Sequence, residues 1–315
     1  MRENRLRTLW QADQAAINGW LAIPNSFSAE VMAHQGWDTL TIDLQHGVID
    51  YAQMVTMLQA ISTTSVVPIV RVPWLEPGII MKTLDAGAYG VICPMVNSRD
   101  EAARLVSYTR YAPRGVRSFG PVRAMYYSGP DYPEHANDTV VAFAMIETKQ
   151  ALDRLDDILS VEGLDAIYIG PSDLSLSMGC KPVFDDVDAP VAQAIAHIAE
   201  RAKAHGVQCG IHNGLTSVAL ARRATSAALA QATAPASARA GGSLLRVVTK
   251  RSWPAVRRWP AIGAPMMPRP MNPSFMCLFL QWFSRGPKRQ RAPRRETWRS
   301  PAARRLPSGV RRSPR

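Results

Sequence analysis

Between residues 19 and 213 the chain repeats a single unit: a short apolar run rich in β-branched residues, a loop, a longer segment with helical spacing, and a glycine just before the next apolar run. The glycine recurs four times, in Gln35-Gly36-Trp37, Ala86-Gly87-Ala88, Glu162-Gly163-Leu164 and His205-Gly206-Val207. Lacking a Cβ, it is the residue best suited to the left-handed conformation that ends a helix. Helix starts are marked as well, by Asp50 with Gln53 and by Ser98 with Glu101, each spaced as a capping box. Strand, loop, helix and stop in unbroken alternation commit the chain to parallel strands joined by helical crossovers.

Seven strands are predicted on this grammar: Gly19–Ile23, Thr39–Leu44, Val66–Val72, Gly90–Val96, Val140–Glu147, Ala166–Gly170 and Gln208–Asn213. Runs so uniformly apolar suit strands covered on both faces, and only their flanks separate them from buried helix. An open doubly wound sheet and a (β/α)8 barrel both accommodate the pattern. No Gly-x-Gly-x-x-Gly follows the first strand, which weakens the dinucleotide-binding version. The expected architecture is therefore an α/β fold, a (β/α)8 TIM barrel lacking a normal eighth βα unit. Residues 1–18 read as an N-terminal helix or arm and 19–214 as the barrel. Tyr111–Asp138, with Pro113, Pro121, Pro130 and Pro133, is expected to be an extended loop with one short helix near Asp131–Asn137.

After Gly214 the grammar stops. Residues 215–315 carry 21 Lys and Arg against a single acid, Glu296, whereas residues 1–214 carry 16 against 24, so the net charge of +12 joins an acidic segment to a strongly basic one. Half of the 24 prolines also fall in the tail. Like charge and proline at this density leave too little apolar surface to offset chain entropy, and 215–315 is expected to be disordered or poorly packed. The abrupt switch also reads as translation of a GC-rich gene out of frame, which the other frames downstream of codon 214 would test by yielding, or not, an eighth unit. Without that unit, unpaired edges are expected on the first and seventh strands.

Four cysteines with no Cys-x-x-Cys pair argue against a disulfide framework and against a thiolate zinc site. No apolar run approaches the roughly 18 residues a membrane span needs, and the N-terminus leads into no apolar signal core. A soluble, cytoplasmic protein is expected, with no membrane partner.

In a barrel the side chains at the carboxyl ends of the strands converge on one mouth. Those ends carry Trp20, Asp43, Gln45, His46, Arg71, Glu147, Ser172 and Asp173. Ionisable groups at the tips of apolar strands are costly without a task or a partner. Glu147 and Asp173, on neighbouring strands, form a pair of hard oxygen donors that suits a divalent cation such as Mg²⁺ or Mn²⁺ with positions left for water and substrate; each alone could instead cap a helix or pair with a surface arginine. Gly170-Pro171-Ser172-Asp173 turns from strand into helix, and its free N–H groups could take a carboxylate or simply serve as a cap. His46 is a candidate proton carrier. Arg71 must find an anion, whether Asp43 or the substrate. His212, at the tip of the seventh strand, is placed behind the residues that would touch substrate.

These segments resemble the HpcH/HpaI aldolases, which include enzymes acting on 4-hydroxy-2-oxoheptanedioate and on 2-dehydro-3-deoxyglucarate. The likeness rests on Trp20, Ile42-Asp43-Leu44-Gln45-His46-Gly47, Pro68-Ile69-Val70-Arg71-Val72-Pro73, Pro94-Met95-Val96 with Glu101-Ala102, Gly115-Val116-Arg117-Ser118, Ile146-Glu147-Thr148 and Ile169-Gly170-Pro171-Ser172-Asp173-Leu174-Ser175, in order over roughly residues 5–214. It implies a TIM barrel of the pyruvate/phosphoenolpyruvate-like type. It implies also a class II, metal-dependent aldolase of aromatic-compound catabolism, cleaving 4-hydroxy-2-oxo acids to pyruvate and an aldehyde. Carried over, Glu147 and Asp173 would ligate Mg²⁺, Mn²⁺ or Co²⁺, Arg71 would stand beside the enolate oxygen, and His46, oriented by Asp43, would move the proton. Trp20, Gly170 and Ser172 would bind substrate, Arg123 would help shape the aldehyde side, and the assembly would be a homo-hexamer.

Two other readings remain open. One is an acyl-CoA lyase like the citrate lyase β-subunit and malyl-CoA lyase, which shares the barrel and the paired acids; the Gln45-His46 motif favours free acids. The other is an inactive, truncated barrel whose basic tail binds nucleic acid, with Trp253, Trp259, Trp282 and Trp298 stacking on bases. Nothing specific to RNA or DNA accompanies that charge.

Overall fold

The computed structural model describes residues 1–214 and the backbone of Val247–Val248. Eight parallel strands form one curled sheet: β1 (Ala16–Leu21), β2 (Thr39–Asp43), β3 (Val67–Arg71), β4 (Gly90–Cys93), β5 (Val141–Ile146), β6 (Ala166–Ile169), β7 (Gln208–Ile211) and β8 (Val247–Val248). The order β7-β6-β5-β4-β3-β2-β1-β8 is that of successive neighbours around a barrel, with helices between the strands.

All seven predicted strands are present, the last six trimmed at one or both ends. The first is displaced, starting at Ala16 rather than Gly19. Its register against β2 (Asn18↔Thr39, Gly19↔Leu40) sets the start, and Asn18 disguises it in sequence. That amide is buried in the strand because the hydroxyls of Thr39 and Thr41 donate to its Oδ1 at 2.8 and 3.0 Å. The four stop glycines all have positive φ, from 71° to 102°, as a left-handed helix end requires. Asp50 and Gln53 form the full capping box. At Ser98 the hydroxyl caps Glu101 N–H, but the Glu101 carboxylate turns to the Asn97 N–H instead. The segment expected to be a loop with one short helix contains two, Val122–Ser128 and Tyr132–Thr139.

Strand residues alternate between the barrel interior and the outer face that packs on helices. Val67, Ile69, Phe143, Met145, Ala166 and Tyr168 fill the interior with Leu6 and Trp10, which come from the N-terminal helix Arg5–Gln11. Ala142, Ala144, Ile146, Ile167 and Ile169 pack outward against helices. On β5 and β6 large residues, Phe143, Met145 and Tyr168, fill the interior, while Ala142 and Ala144 let helices approach.

The expected bare edge on the first strand is partly covered. β8 pairs with β1 at Ala16↔Val247 and Ile17↔Val248; among the described residues no ladder joins β7 to β8. The expectations of a disordered or out-of-frame tail and of nucleic-acid binding through Trp253, Trp259, Trp282 and Trp298 lie outside the described residues. Among the described residues no helix is long and apolar enough to cross a membrane.

Candidate active site

Strand register assembles the site. β2 and β3 pair with Asp43 opposite Arg71 at their carboxyl ends. The guanidinium meets the carboxylate side-on, Nε to Oδ1 at 2.9 Å and Nη2 to Oδ2 at 2.5 Å, a fork that fixes Arg71 in direction as well as position. Trp20 Nε1 donates to Asp43 Oδ2 at 3.1 Å, and the Arg71 guanidinium lies 4.8 Å from the Trp20 ring centroid. The backbone N–H groups of Gln45 and His46 donate to Asp43 Oδ1. Burial alone would raise the Asp43 carboxyl, but the hydrogen bonds and charge of Arg71, with Trp20 and the His46 amide, prevail and hold it below its ordinary range.

Asp43 therefore orients His46 through the backbone. No imidazole contact is made, because the carboxylate is committed to Arg71, Trp20 and the loop amides. The His46 side chain is exposed at the cavity rim. Gly47 closes this turn against Asp43: a Cβ there would lie 2.2 Å from the Asp43 carbonyl oxygen, so no larger residue fits.

Glu147 follows β5 and is 2% exposed. Its Oε1 accepts the Met95 N–H at 2.8 Å. Met95 has φ of 55°, a left-handed conformation unusual for a long side chain. Its carbonyl accepts from Asn97 Nδ2 at 2.8 Å, and Asn97 in turn accepts from the Thr148 hydroxyl. Burial pushes the Glu147 carboxyl up to about 7, with the Asp173 charge adding to it and the Met95 hydrogen bond and Arg71 charge opposing. β5 and β6 pair at Ile146↔Ile169, so Gly170 falls beside Glu147. A Cβ on Gly170 would sit 2.5 Å from Glu147 Oε2 and 2.9 Å from its Cβ. Gly170 leads into the helix Pro171–Ser177, which has no side-chain cap and places Asp173 in its exposed first turn.

A cavity of about 330 Å³ opens on these residues. Trp20, Asp43, His46, Arg71, Glu147, Gly170, Ser172 and Asp173 all line it. Arg123 does not. Its guanidinium donates to the Ala86 carbonyl and the Ser62 hydroxyl, at the carboxyl ends of two helices and hence at the opposite end of the barrel. The expectation that it shapes the aldehyde side is corrected: a charged residue in the long loop carries no sequence mark of which rim it reaches. The lining also includes Met145, Phe184 and His212. His212, read from sequence as lying behind the substrate-contacting residues, is part of the wall. Met95 and Gly47 act by positioning and were visible in sequence only as members of motifs.

The donor set fits a hard divalent cation. A buried carboxylate, held by one oxygen on the Met95 N–H, borders the cavity together with an exposed second acid. The described residues bring together no three or more acid, histidine or cysteine ligands, so the remaining positions would fall to water and substrate.

The sequence profile for HpcH/HpaI aldolase/citrate lyase matches residues 17–238. A hydroxypyruvate/pyruvate aldolase from Rhizorhabdus wittichii is 48% identical over 211 residues, 67% of this chain and 84% of that one. A 4-hydroxy-2-oxo-heptane-1,7-dioate aldolase from Escherichia coli is 40% identical over 210 residues, 65% of this chain and 80% of that one. A crystal structure of an HpcH/HpaI aldolase/citrate lyase family protein from Burkholderia cenocepacia aligns with a TM-score of 0.67 at 29% identity, covering 78% of this chain and 92% of that one.

Proposed function

The chain belongs to the HpcH/HpaI aldolase/citrate lyase family, and on that premise we propose that it is a metal-dependent class II aldolase cleaving 4-hydroxy-2-oxo acids to pyruvate and an aldehyde. The observation that carries the reading is the convergence on one cavity of the Arg71–Asp43 fork with the Glu147 and Asp173 carboxylates. Glu147 and Asp173 would hold a divalent cation, Mg²⁺, Mn²⁺ or Co²⁺. When bound, the cation supplies Lewis-acid polarisation of the 2-oxo acid.

The protein's own groups then do the following. Arg71, fixed by Asp43, places a positive charge beside the 2-oxo oxygen, where negative charge grows as the C3–C4 bond breaks. His46 takes the proton of the 4-hydroxyl, directly or through water; the C–H-bearing alcohol carbon leaves as an aldehyde, and the bond electrons pass to the pyruvate enolate. Return of a proton to C3 gives pyruvate. The Gly170–Asp173 turn, through the N–H groups of Ser172 and Asp173, would bind the substrate carboxylate, and Trp20 walls the cavity while bracing Asp43.

The oligomer is proposed on the family resemblance, as a homo-hexamer. Support comes from Val116, Phe119, Val122 and Tyr126, each between 62% and 89% exposed along one stretch, as apolar surface that a second copy would cover.

The test is pyruvate release from 4-hydroxy-2-oxo acids by the full-length protein with and without EDTA, beside Glu147→Gln and His46→Ala. The reading expects EDTA and Glu147→Gln to abolish release and His46→Ala to depress kcat at least a hundredfold with the cation retained. Turnover that survives EDTA and Glu147→Gln overturns it.

A further inference from the structure

The reaction as written makes no use of His212, although its ring lines the cavity. The ring is clamped edge-on to Trp20, with centroids 4.7 Å apart and planes at 88°, and lies 4.9 Å from Phe184. Behind it lies a set of buried polar side chains. Thr39 and Thr41 both donate to Asn18 Oδ1, and these three side chains are buried. The Tyr168 phenol adjoins Asn18, whose side chain favours the charged form of the phenol without outweighing burial. Tyr168 is 3% exposed, and burial keeps its phenol protonated. The phenol oxygen lies 3.4 Å from His212 Nδ1, within reach for a protonated phenol to donate to it. A neutral imidazole whose Nδ1 accepts carries its proton on Nε2. Burial also opposes a charge on the ring, lowering the His212 pKa to about 4.

We propose that His212 is a specificity-determining residue whose Nε2–H is offered to a hydroxyl group on the substrate, its tautomer set by the buried Tyr168 phenol at Nδ1. The wall formed by Trp20 and Phe184 is otherwise aromatic, so a substrate bearing an apolar group there leaves the N–H without a partner, whereas a hydroxyl satisfies it. A carboxylate would gain more from Arg71 than from an uncharged ring. The hydroxyl could belong to C3 of the 2-oxo acid or to the aldehyde; the chemistry offered by the protein is the same. This inference rests on the aldolase reading above.

The experiment uses full-length protein with Mn²⁺, as wild type, His212→Phe, His212→Gln and Tyr168→Phe, each checked for folding by circular dichroism. Exchange of the pyruvate methyl protons in D₂O, followed by NMR, tests enolisation alone. Carbon–carbon bond formation is then measured for pyruvate or hydroxypyruvate with acetaldehyde or glycolaldehyde. Wild type is expected to favour a hydroxyl-bearing partner. His212→Phe, which keeps the aromatic shape, lowers that kcat/KM about tenfold more than it lowers the value for the unsubstituted pair. His212→Gln, with an amide N–H near the position of Nε2, restores most of the preference, and Tyr168→Phe, which frees the tautomer, falls between. A selective loss with hydroxypyruvate places the hydroxyl on the oxo acid, and one with glycolaldehyde places it on the aldehyde. Equal losses for all four pairs in His212→Phe and His212→Gln overturn the inference and leave the ring a purely structural wall. Absence of exchange in the wild type instead overturns the aldolase reading, and this inference with it.

Discussion

Replacing Asp43 with alanine tests the element on which the site geometry depends. The Asp43 side chain is 3% exposed and that of Arg71 11%, and the carboxylate accepts two bonds from Arg71, one from Trp20 and two from loop amides. Removing it strands a buried guanidinium whose remaining contact is the Trp20 face. Breaking a buried pair from one side costs about 3–5 kcal/mol, a fifth or more of the roughly 5–15 kcal/mol that holds a domain together. For a barrel of this size that is a fall in midpoint temperature of roughly 10 °C. Arg71→Met added to Asp43→Ala removes the orphaned charge, so the double variant should recover at least about 2 kcal/mol relative to the sum of the single losses. Urea titrations followed by circular dichroism measure the four corners of the cycle. The pH dependence has a defined sign. The Asp43 carboxyl is depressed in the folded state, so its contribution is fully present above the ordinary value of 3.8 and is lost only as pH falls through the lower folded value. The gap between wild type and Asp43→Ala should therefore be flat from pH 8 to 5 and close below pH 4. Additive losses, or an Asp43→Ala variant within 1 kcal/mol of wild type, refute the reasoning.

Gly170→Ala forces a methyl to within 2.5 Å of Glu147 Oε2; Mn²⁺ binding by calorimetry should weaken at least tenfold, and unchanged binding would show that Glu147 is not confined by this turn. Because the His212 pKa is lowered from 6.5 to about 4, the unfolded chain takes up the proton first, and stability should decline as pH falls from 6.5 towards 4. His212→Phe should flatten that part of the urea-midpoint profile. Arg123→Leu loses its bonds to Ala86 and Ser62 at the far end of the barrel. Its thermal midpoint should fall by several degrees while KM for the 2-oxo acid moves less than twofold in steady-state assays.

Much of this was legible in the chain because local rules and the global fold agree. Gly36, Gly87, Gly163 and Gly206 signal helix ends by their missing Cβ, and each has the positive φ implied. Asp43, Arg71, Glu147 and Asp173 could be picked out because charge at the end of an apolar strand is conspicuous. Asn18 hid the start of β1, since a polar residue satisfied by cross-strand hydroxyls looks from sequence like a break. The helix Val122–Ser128 was hidden among prolines. Arg123 was placed at the wrong rim, and Met95 and His212 gave no local sign of what they do.

What the residues determined unaided was the alternation, the parallel crossovers and the set of charged strand ends, all of which follow from the reach of a side chain and the torsions of a backbone over a few positions. What only the folded barrel decided was contact between distant segments: that Asp43 grips Arg71 rather than the His46 ring, that Gly170 presses on Glu147, and that Trp20, Tyr168 and Phe184 gather around His212. Those depend on strand register and curvature, which bring residues as far apart as 95 and 147 to within a hydrogen bond.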